Sequence, residues 1–313
     1  MAKGMIPVAE LAGGQRSAAA LPEERRRRYA EQLEEGHILF FDRAPFPLPD
    51  AAERAALANV REVSGAYHKN ISYRPEEDRV KGLAPGADVE RVRGALRGYC
   101  QNVTRLLTEL FPWYAAGWKQ DFSSFRPVEE QGRQLSLRAR NDLLHVDSFP
   151  TRPTNGGRIL RVFTNVNESV SRRWITTETF DVLAPRMAMA AGLGAIAAQR
   201  RSPWRAAWGA LARLPRRVGL GGEERSPYDR FMLGFHHHLK ADTAFQSECP
   251  KYRWEFPPGS TWVVLTDMVP HAVESGQFAL EHTIILPTSV LLRPDLSPLR
   301  ILESLTHGQP LTI

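Results

Sequence analysis

The hydrophobic pattern of the chain changes after Trp118, and this change constrains the fold more than any other feature. From there on, short apolar runs are separated by Pro, Gly and Asn, which is typical of β-strands joined by turns. The clearest runs cover residues 156–167, 259–273 and 278–287. The first of them, GGRILRVFTNVN, alternates well enough between two faces to form a strand. The pattern therefore predicts a β-rich body over the second part of the chain.

The first part of the chain, residues 1–118, is mainly helical by the same criteria. The predicted helices there cover residues 23–35, 50–62 and 88–110. An insert rich in Ala and Arg, residues 180–224, predicts one or two further helices between the strands. Together these patterns predict an α+β fold in a single domain of residues 1–313, with a β-rich core at 119–297 and a C-terminal tail at 298–313.

The composition is that of an ordinary globular protein, with 42% hydrophobic and 24% charged residues in a chain of 313. The two cysteines, Cys100 and Cys249, form no CxxC pair, which argues against a disulfide framework and fits a reducing compartment. Since no secretory leader and no membrane-spanning apolar stretch are evident, we expect a cytoplasmic protein. The net charge of +6 favours an anionic partner, although a modest positive balance also occurs without one.

The segment at residues 140–149, RNDLLHVDSF, places His145 and Asp147 two positions apart within an apolar run. In a strand, residues i and i+2 point to the same side, so both side chains could reach one metal ion. Two histidines and one carboxylate form the three-ligand site of non-haem iron enzymes, which leaves coordination positions open. On its own, the pair is also compatible with a histidine at a strand edge beside a solvated carboxylate.

The histidines after Asp147 that could supply a third ligand are His236, His237, His238, His271, His282 and His307. His271 is favoured because it follows a strong strand and a proline turn in LTDMVPHAV, which would bring a distant strand to the site. The run at 236–238, in FHHHLKAD, is the alternative, although it has the pattern of a polar helix end or a loop. We expect His282, on the following strand, to line the pocket without touching the metal.

Two long strings resemble a known family: RNDLLHVDSFPTRPTNGGRILRVFTNVN and GSTWVVLTDMVPHAVESGQFALEHTIILP. They resemble the Kdo hydroxylases, Fe(II)- and 2-oxoglutarate-dependent dioxygenases that act on 3-deoxy-D-manno-oct-2-ulosonic acid (Kdo) in lipopolysaccharide. The similarity extends back through FSSFRPVEEQGRQLSLRA and HKNISYRP, and so covers most of residues 65–290. The resemblance implies a double-stranded β-helix, or jelly roll, with the N-terminal helices and the inserted helical segment packed outside it.

The resemblance also implies the reaction, which is hydroxylation of C3 of Kdo in Kdo–lipid A to give Ko, with succinate and CO₂ as co-products. The implied cofactors are Fe(II), held by His145, Asp147 and His271, with 2-oxoglutarate and O₂ as co-substrates and ascorbate as an assisting reductant. A lipid-linked substrate implies a peripheral position on the cytoplasmic face of the inner membrane.

The far carboxylate of 2-oxoglutarate needs a cation in a dry pocket, and arginine binds carboxylates in a bidentate manner. The strand after His271 contains no Arg or Lys, which departs from the pattern of many 2-oxoglutarate oxygenases. Arg161 lies 16 positions after His145 and shares a strand face with Asn165. We therefore predict that Arg161 and Asn165 bind the co-substrate, with Arg158, on the opposite face, as the alternative.

Several basic and polar side chains near these segments are candidates for binding an anionic sugar: His68, Lys69, Asn70, Arg126, Arg140 and Arg152. For each of them alone, a solvated charge or a structural hydrogen bond is favoured over a sugar contact, but as a set they favour an anionic glycan over an apolar substrate. The segment around Trp204 and Trp208 has the pattern of a basic amphipathic helix, which suits either an anionic membrane surface or packing on the protein's own core. Nucleic-acid binding is not expected, because the arginines belong to no recognised module.

Two alternatives to Kdo hydroxylation are compatible with the same residues. The first is the same chemistry on another substrate, such as a protein side chain or a small metabolite. The second is a metal-free jelly-roll module that binds anionic glycans, in which His145 would have no part in ligand affinity.

Overall fold

The structure is a computed structural model that describes residues 4–14, 16–60, 71–200 and 225–313. In these residues eleven strands form two sheets. The strands are β1 (Met5–Pro7), β2 (Ile38–Phe41), β3 (Ile71–Arg74), β4 (Arg79–Lys81), β5 (Lys119–Arg126), β6 (Arg158–Asn165), β7 (Arg172–Thr176), β8 (Tyr252–Phe256), β9 (Thr261–Leu265), β10 (His271–Ser275) and β11 (Ala279–Leu286). The larger sheet has the order β1-β2-β9-β6-β11-β5-β3-β4, and the smaller sheet has the order β10-β7-β8.

Strand β6 lies in the interior of the larger sheet, and every one of its residues is buried. It pairs antiparallel with β9 and β11, so that Arg161 lies opposite Val264 on one side and Thr283 on the other. The predicted strands at 156–167 and 278–287 are thereby confirmed as β6 and β11.

The predicted strand at 259–273 is instead divided into β9 and β10, which belong to different sheets. The sequence shows one continuous apolar run at 259–273 because β9 and the first part of β10 are both buried. The chain nevertheless has to leave the larger sheet for the smaller one, and it does so in the turn that contains Pro270.

Aromatic side chains join the two sheets. The Trp174 ring on β7 makes edge-to-face contacts with Phe163 on β6 and Trp262 on β9, at centroid distances of 4.9 and 5.5 Å. Phe256 on β8 stacks on Trp262 at 3.9 Å. Because all four rings are buried, the space between the sheets is a packed core at this end. The α+β class with a jelly-roll core is thus confirmed.

Nine α-helices surround the sheets in the described residues. They are α1 (Glu23–Glu34), α2 (Ala51–Ala58), α3 (Val89–Leu110), α4 (Pro112–Ala115), α5 (Phe180–Met187), α6 (Leu193–Arg200), α7 (Pro227–Ala241), α8 (Thr243–Glu248) and α9 (Pro298–Leu305). The three helices predicted before Trp118 are confirmed as α1, α2 and α3, and Asp50 and Asp88 cap the last two. None of the described helices is long and apolar enough to cross a membrane.

Helix α3 covers the outer face of the larger sheet. Its buried face includes Val92, Leu96 and Val103 at the spacing of an amphipathic helix. The Tyr99 hydroxyl donates a hydrogen bond of 3.1 Å to the Val162 carbonyl on β6. Helix α3 thus covers this part of the outer side of the sheet.

The mainly helical region before Trp118 also supplies β1 to β4, whose three or four residues each are too few to show periodicity. The predicted C-terminal tail contains α9, which buries Leu299 and Leu302. The first part of the helical insert is present as α5 and α6, whereas the segment around Trp204 and Trp208 lies outside the described residues.

Candidate metal centre

The structure brings His145, Asp147 and His271 together on the inner side of the sheets. One ligand atom from each of the three lies within 4.8 Å of the others, and all three residues are buried. The two imidazole Nε2 atoms lie 3.8 and 3.9 Å from the two carboxylate oxygens of Asp147. Three ligand atoms on one face of an ion with bonds of about 2 Å lie about 3 Å apart, so these side chains would close in slightly around a bound metal.

Backbone pairing sets this arrangement. His145 forms a two-way bridge with the first residue of β10: its N–H donates to the His271 carbonyl at 3.1 Å, and its carbonyl accepts from the His271 N–H at 2.9 Å. Two residues later, the Asp147 N–H donates to the Thr266 carbonyl at 2.9 Å. The predicted same-side placement of His145 and Asp147 is present, although the pairing is a single bridge and not a full strand.

Each histidine ligand is oriented by its own backbone. The Nδ1 atom of His145 lies 2.7 Å from the Leu143 carbonyl, and that of His271 lies 2.9 Å from the Val269 carbonyl. A carbonyl can only accept, so Nδ1 carries the proton in both rings. Both Nε2 lone pairs are therefore directed toward the centre, where a metal ion would bind.

The protonation states also suit a metal. Burial holds the pKa of His145 well below its usual range and lowers the pKa of His271 as well. Burial would raise the pKa of Asp147, but the Arg161 guanidinium and the hydrogen bond from Thr266 help to bring it down to about 2. At neutral pH both histidines are therefore neutral and Asp147 is anionic, which is the protonation state that binds a divalent cation. The donor set is that of the non-haem Fe(II) oxygenases.

A chain of charges extends from Asp147 into the space between the sheets. The Arg161 Nη1 atom lies 3.0 Å from Asp147 Oδ2 and 3.5 Å from Glu281 Oε1. On its other side, Glu281 accepts a hydrogen bond of 2.6 Å from Arg126 Nε. The Arg161 Nε atom is buried without a hydrogen-bond partner. Arg161 and Arg126 thus face the two carboxylates of Asp147 and Glu281, and the unpartnered Arg161 Nε is the donor that an anionic ligand could satisfy.

A third arginine, Arg172 on β7, is fully buried beside this group. Its Nη1 donates to the Gly276 carbonyl at 2.8 Å, while its Nε and Nη2 are buried without a hydrogen-bond partner. Burial and the neighbouring Arg126 lower the pKa of Arg172 to about 10.

Sequence reasoning missed Arg172, because SRRW has the pattern of a surface segment, and it also missed Glu281. A lone Glu in the apolar run FALEHTIIL was the available signal, since a buried carboxylate requires cationic partners.

The other two candidates for the co-substrate site have structural partners. Arg158 forms a fully buried ion pair with Asp267, at 2.7 Å, on the opposite face of β6. The Asn165 side chain donates to the Val170 and Phe256 carbonyls, both at 2.9 Å, and accepts from the Asn167 N–H. Asn165 therefore holds a loop, and we leave it out of the proposed 2-oxoglutarate pocket.

The substrate candidates are found in different settings. Arg152 is half-buried: it pairs with Asp121 at 2.7 Å, and its guanidinium lies 4.1 Å from the Phe122 ring centre and 4.6 Å from that of Phe149. Arg126 is buried against Glu281, as described above. Arg140 is at the surface and pairs with Asp142, two residues along the chain. The structure does not place His68, Lys69 and Asn70, which lie outside the described residues.

Two other histidines lie near the centre. His282 is on the outer face of β11, where its Nδ1 lies 2.8 Å from Ser123 Oγ, so it does not line the pocket as expected. His236 is on α7, with its ring centre 4.8 Å from that of His145. The run at 236–238 is therefore helical, and of its members His236 contacts the ligand segment. In the described residues, the group at His145 is the one cluster with metal-binding geometry.

Comparison with known proteins agrees with this geometry. The family model described as 3-deoxy-D-manno-oct-2-ulosonic acid (Kdo) hydroxylase matches residues 16–309. The solved structure of the Kdo hydroxylase KdoO, a non-haem Fe(II) α-ketoglutarate-dependent dioxygenase, in complex with α-ketoglutarate and Fe(III), is similar with a TM-score of 0.80 and 33% identity over 99% of this chain and 97% of that one. A KdoO complex with cobalt(II) shows a TM-score of 0.80 and 34% identity over 98% and 97% of the two chains. A complex with succinate and Fe(III) shows a TM-score of 0.78 and 33% identity over the same shares. No curated protein sequence matches the chain.

Proposed function

We infer the reaction from one premise: the chain belongs to the Kdo hydroxylase family. It is accordingly an Fe(II)- and 2-oxoglutarate-dependent dioxygenase. We propose that it hydroxylates C3 of Kdo in Kdo–lipid A, giving Ko, succinate and CO₂. The observation that carries this proposal is the buried triad of His145, Asp147 and His271, whose metal-binding atoms converge in a chain that matches the family over nearly its whole length.

The three triad residues would hold the iron. When bound, iron supplies the activation of O₂ with 2-oxoglutarate that side chains cannot perform. The residues of the chain orient and protect that chemistry. The carbonyls of Leu143 and Val269 keep both Nε2 atoms available, and the Trp174 ring, stacked at 4.9 Å on His271, excludes water from one side of the centre.

We propose that Arg161 binds the far carboxylate of 2-oxoglutarate. Its guanidinium is nine-tenths buried and adjacent to the triad, and its Nε has no hydrogen-bond partner. The far carboxylate of a dicarboxylate would satisfy that donor. Arg158 also has unpartnered donors, Nη1 and Nη2, but it is a weaker candidate because it pairs with Asp267 on the opposite face of β6, away from the triad.

We propose that the sugar carboxylate of the substrate is met by Arg152 at the mouth of the centre. The Phe122 and Phe149 rings both lie against this guanidinium, at 4.1 and 4.6 Å, and together with the ion pair to Asp121 they restrict its movement. Arg161 also lies against the Phe149 ring, with 5.4 Å between its guanidinium and the ring centre, and so links this position to the triad. Arg126 would not touch the sugar directly but would hold Glu281 in place through its hydrogen bond. Arg140 would attract the anionic substrate only from the protein surface.

A lipid-linked substrate would require the enzyme to work at a membrane surface. We propose a peripheral position on the cytoplasmic face of the inner membrane, supported by the net charge of +6 and by the basic segment with Trp204 and Trp208. Replacing both tryptophans by alanine should then reduce activity on substrate embedded in anionic vesicles and spare activity on the same substrate in detergent micelles. Equal activity in the two settings would contradict the membrane role.

The reaction itself is tested by mass spectrometry of Kdo–lipid A after incubation with the protein, Fe(II), ascorbate, 2-oxoglutarate and air. We expect a gain of one oxygen, which fragmentation of the released sugar locates at C3. The gain should be absent with the His145→Ala variant, which loses one iron ligand. A hydroxyl at another carbon would reject the proposed position while keeping the enzyme class.

Other outcomes separate the substrate from the chemistry. Succinate formed without any change in the lipid would show an oxygenase with another target. A protein that binds no iron and forms neither succinate nor modified lipid would reject the metal centre, and ligand affinity unchanged in His145→Ala would then favour a binding module.

A further inference from the structure

The ligand segment that carries His145 and Asp147 has two hydrogen-bonding edges. On one edge, residues 145 and 147 bond to the backbone of His271 and Thr266. The backbone groups of residues 144 and 146 point to the other edge, as alternation along an extended chain requires. An edge of this kind is ordinarily paired with another strand or covered. Here its known partners are side chains of α7 and α8.

Gln246 of α8 takes the place of a paired residue in a neighbouring strand. Its Oε1 accepts from the Leu144 N–H at 3.0 Å, and its Nε2 donates to the Leu144 carbonyl at 2.9 Å. The same Nε2 lies 2.8 Å from the Leu239 carbonyl of α7, which ties the amide to the preceding helix. One side chain thus reproduces both hydrogen bonds that a strand residue would make with Leu144.

His236 of α7 acts on the next position. Its Nδ1 lies 2.7 Å from the Val146 carbonyl, and it must be the donor because the carbonyl can only accept. Val146 is the residue between the two metal-ligand candidates. The His236 ring also meets the His145 ring edge to face, with 4.8 Å between centroids and 72° between planes. His236 therefore contacts both the backbone and one ligand side chain of the segment.

We propose that Gln246 and His236 are positioning residues of the metal centre, acting together as a substitute for the missing neighbouring strand. They fix the position of residues 144 to 147 relative to β10. In this way they set the distances from the ligand atoms of His145 and Asp147 to the Nε2 atom of His271. This inference rests on the proposed metal centre. It assigns a role to the histidine run and to α8, neither of which the proposed reaction uses directly.

The test uses Co(II) as the probe, since its visible d–d spectrum reports ligand geometry directly. The Co(II) dissociation constant and spectrum are measured for the full-length protein and for Gln246→Leu, which keeps most of the side-chain volume but removes both hydrogen bonds to Leu144. We expect the affinity to fall about tenfold, as for other residues that orient metal ligands, and the spectrum to change. Gln246→Glu keeps the acceptor for the Leu144 N–H but places a carboxylate oxygen against the Leu144 and Leu239 carbonyls, and should weaken Co(II) binding at least as much as Gln246→Leu.

A pair of His236 variants tests the second contact independently. His236→Phe keeps an aromatic ring against His145 but cannot donate to Val146, and it should weaken Co(II) binding about tenfold. His236→Asn places an amide N–H near the position of Nδ1 and should restore affinity to within a few-fold of the natural protein. The matched control is Ser247→Ala, since the Ser247 hydroxyl donates only within its own helix, to Thr243 and Ala244.

The outcomes separate this inference from the proposed function. If the natural protein does not bind Co(II), the metal centre fails and the inference fails with it. If the natural protein binds Co(II) and the Gln246 and His236 variants keep its affinity and spectrum while only their thermal midpoints fall, the two residues are structural and the inference is overturned. Should Gln246→Leu not fold by circular dichroism, the comparison of His236→Phe with His236→Asn decides.

Discussion

At the scale of single residues, the centre depends on groups whose charge and proton positions are set before any ligand arrives. Both histidine ligands donate Nδ1–H to the carbonyl two positions earlier in the chain, at Leu143 and Val269. The same local device thus serves two segments that are distant in sequence. Arg161 holds Asp147 in its anionic form by the contact of 3.0 Å. The proton positions and charges of the three ligands are therefore those that a metal ion requires.

The Arg161→Lys variant tests the proposed co-substrate contact. Lysine keeps the positive charge near Asp147 but lacks the planar fork that binds a carboxylate through two hydrogen bonds. We expect the KM for 2-oxoglutarate to rise about tenfold, which corresponds to the loss of one charge-assisted hydrogen bond. The Arg91→Lys change, at an exposed position on α3, is the control and should leave the KM unchanged. A KM for Arg161→Lys equal to that of the natural enzyme would remove Arg161 from the co-substrate site.

His282 should make stability depend on pH. Burial lowers the pKa of His282 to about 4, while in the unfolded chain the imidazole titrates near 6.5. As the pH falls through this interval, the unfolded chain takes up a proton that the folded protein refuses, so stability is present above pH 6.5 and is lost toward pH 4. For this group alone, the loss between pH 7 and pH 5 is about 2 kcal/mol.

Urea unfolding of metal-free protein measures this effect. In the His282→Gln variant, the decline in the free energy of unfolding between pH 7 and pH 5 should be smaller by about 2 kcal/mol. The control is His307→Asn, because His307 is exposed and its φ of 58° suits asparagine. An equal decline in His282→Gln and the natural protein would contradict the buried, neutral state of this histidine.

At the scale of secondary-structure elements, connections between distant segments hold the frame of the centre. Glu34, the last residue of α1, is fully buried and accepts from the Tyr114 hydroxyl and from the N–H groups of Leu292 and Arg293. It therefore joins the N-terminal helix to the segment that follows β11. Asp229 on α7 makes a similar connection, since it accepts from the N–H groups of Thr154 and Asn155 before β6.

The Glu34→Gln variant tests the first of these connections. The amide has one acceptor oxygen where the carboxylate has two, so at least one buried N–H group loses its partner. We expect the free energy of unfolding at pH 7 to fall by about 2 kcal/mol, as measured by urea denaturation. Glu31→Gln, on the exposed side of the same helix, should change it by less than about 0.5 kcal/mol. Equal effects of the two changes would show that the buried contacts of Glu34 contribute nothing specific.

At the scale of the whole molecule, sequence patterns predict elements better than the contacts between them. The strands β6 and β11 and the helices α1 to α3 are long enough for their periodicity to show. The spacing of His145 and Asp147 and the turn before His271 favour the triad that the structure brings together, although they leave the run at 236–238 as an alternative. The alternation within β6 also places Arg161 and Arg158 on opposite faces, as the structure has them. These are local properties, which a sequence carries directly.

What the sequence does not reveal is which distant residues complete a local pattern. The partner of Arg161 across the sheet, Glu281, and the cover of the ligand segment, Gln246, lie more than 100 positions away in the chain. Asn165 lies on the same face of β6 as Arg161, but its side chain donates a hydrogen bond to the Val170 carbonyl in the following loop. The turn at Pro270 is visible, yet the sequence does not show that it moves the chain from one sheet to the other. Such features follow from tertiary packing, which no short window contains.

The most direct test of the central claim, that oxygen is transferred to Kdo at the His145–Asp147–His271 centre, is the mass of Kdo released from lipid A after reaction under ¹⁸O₂. With Fe(II) and 2-oxoglutarate present, we predict that the natural enzyme adds one ¹⁸O atom to the sugar and that the His271→Ala variant adds none. Addition of unlabelled oxygen would mean that the hydroxyl comes from water and not from dioxygen. Equal labelling by the natural enzyme and His271→Ala would place the reaction away from this centre, and either result would contradict the account.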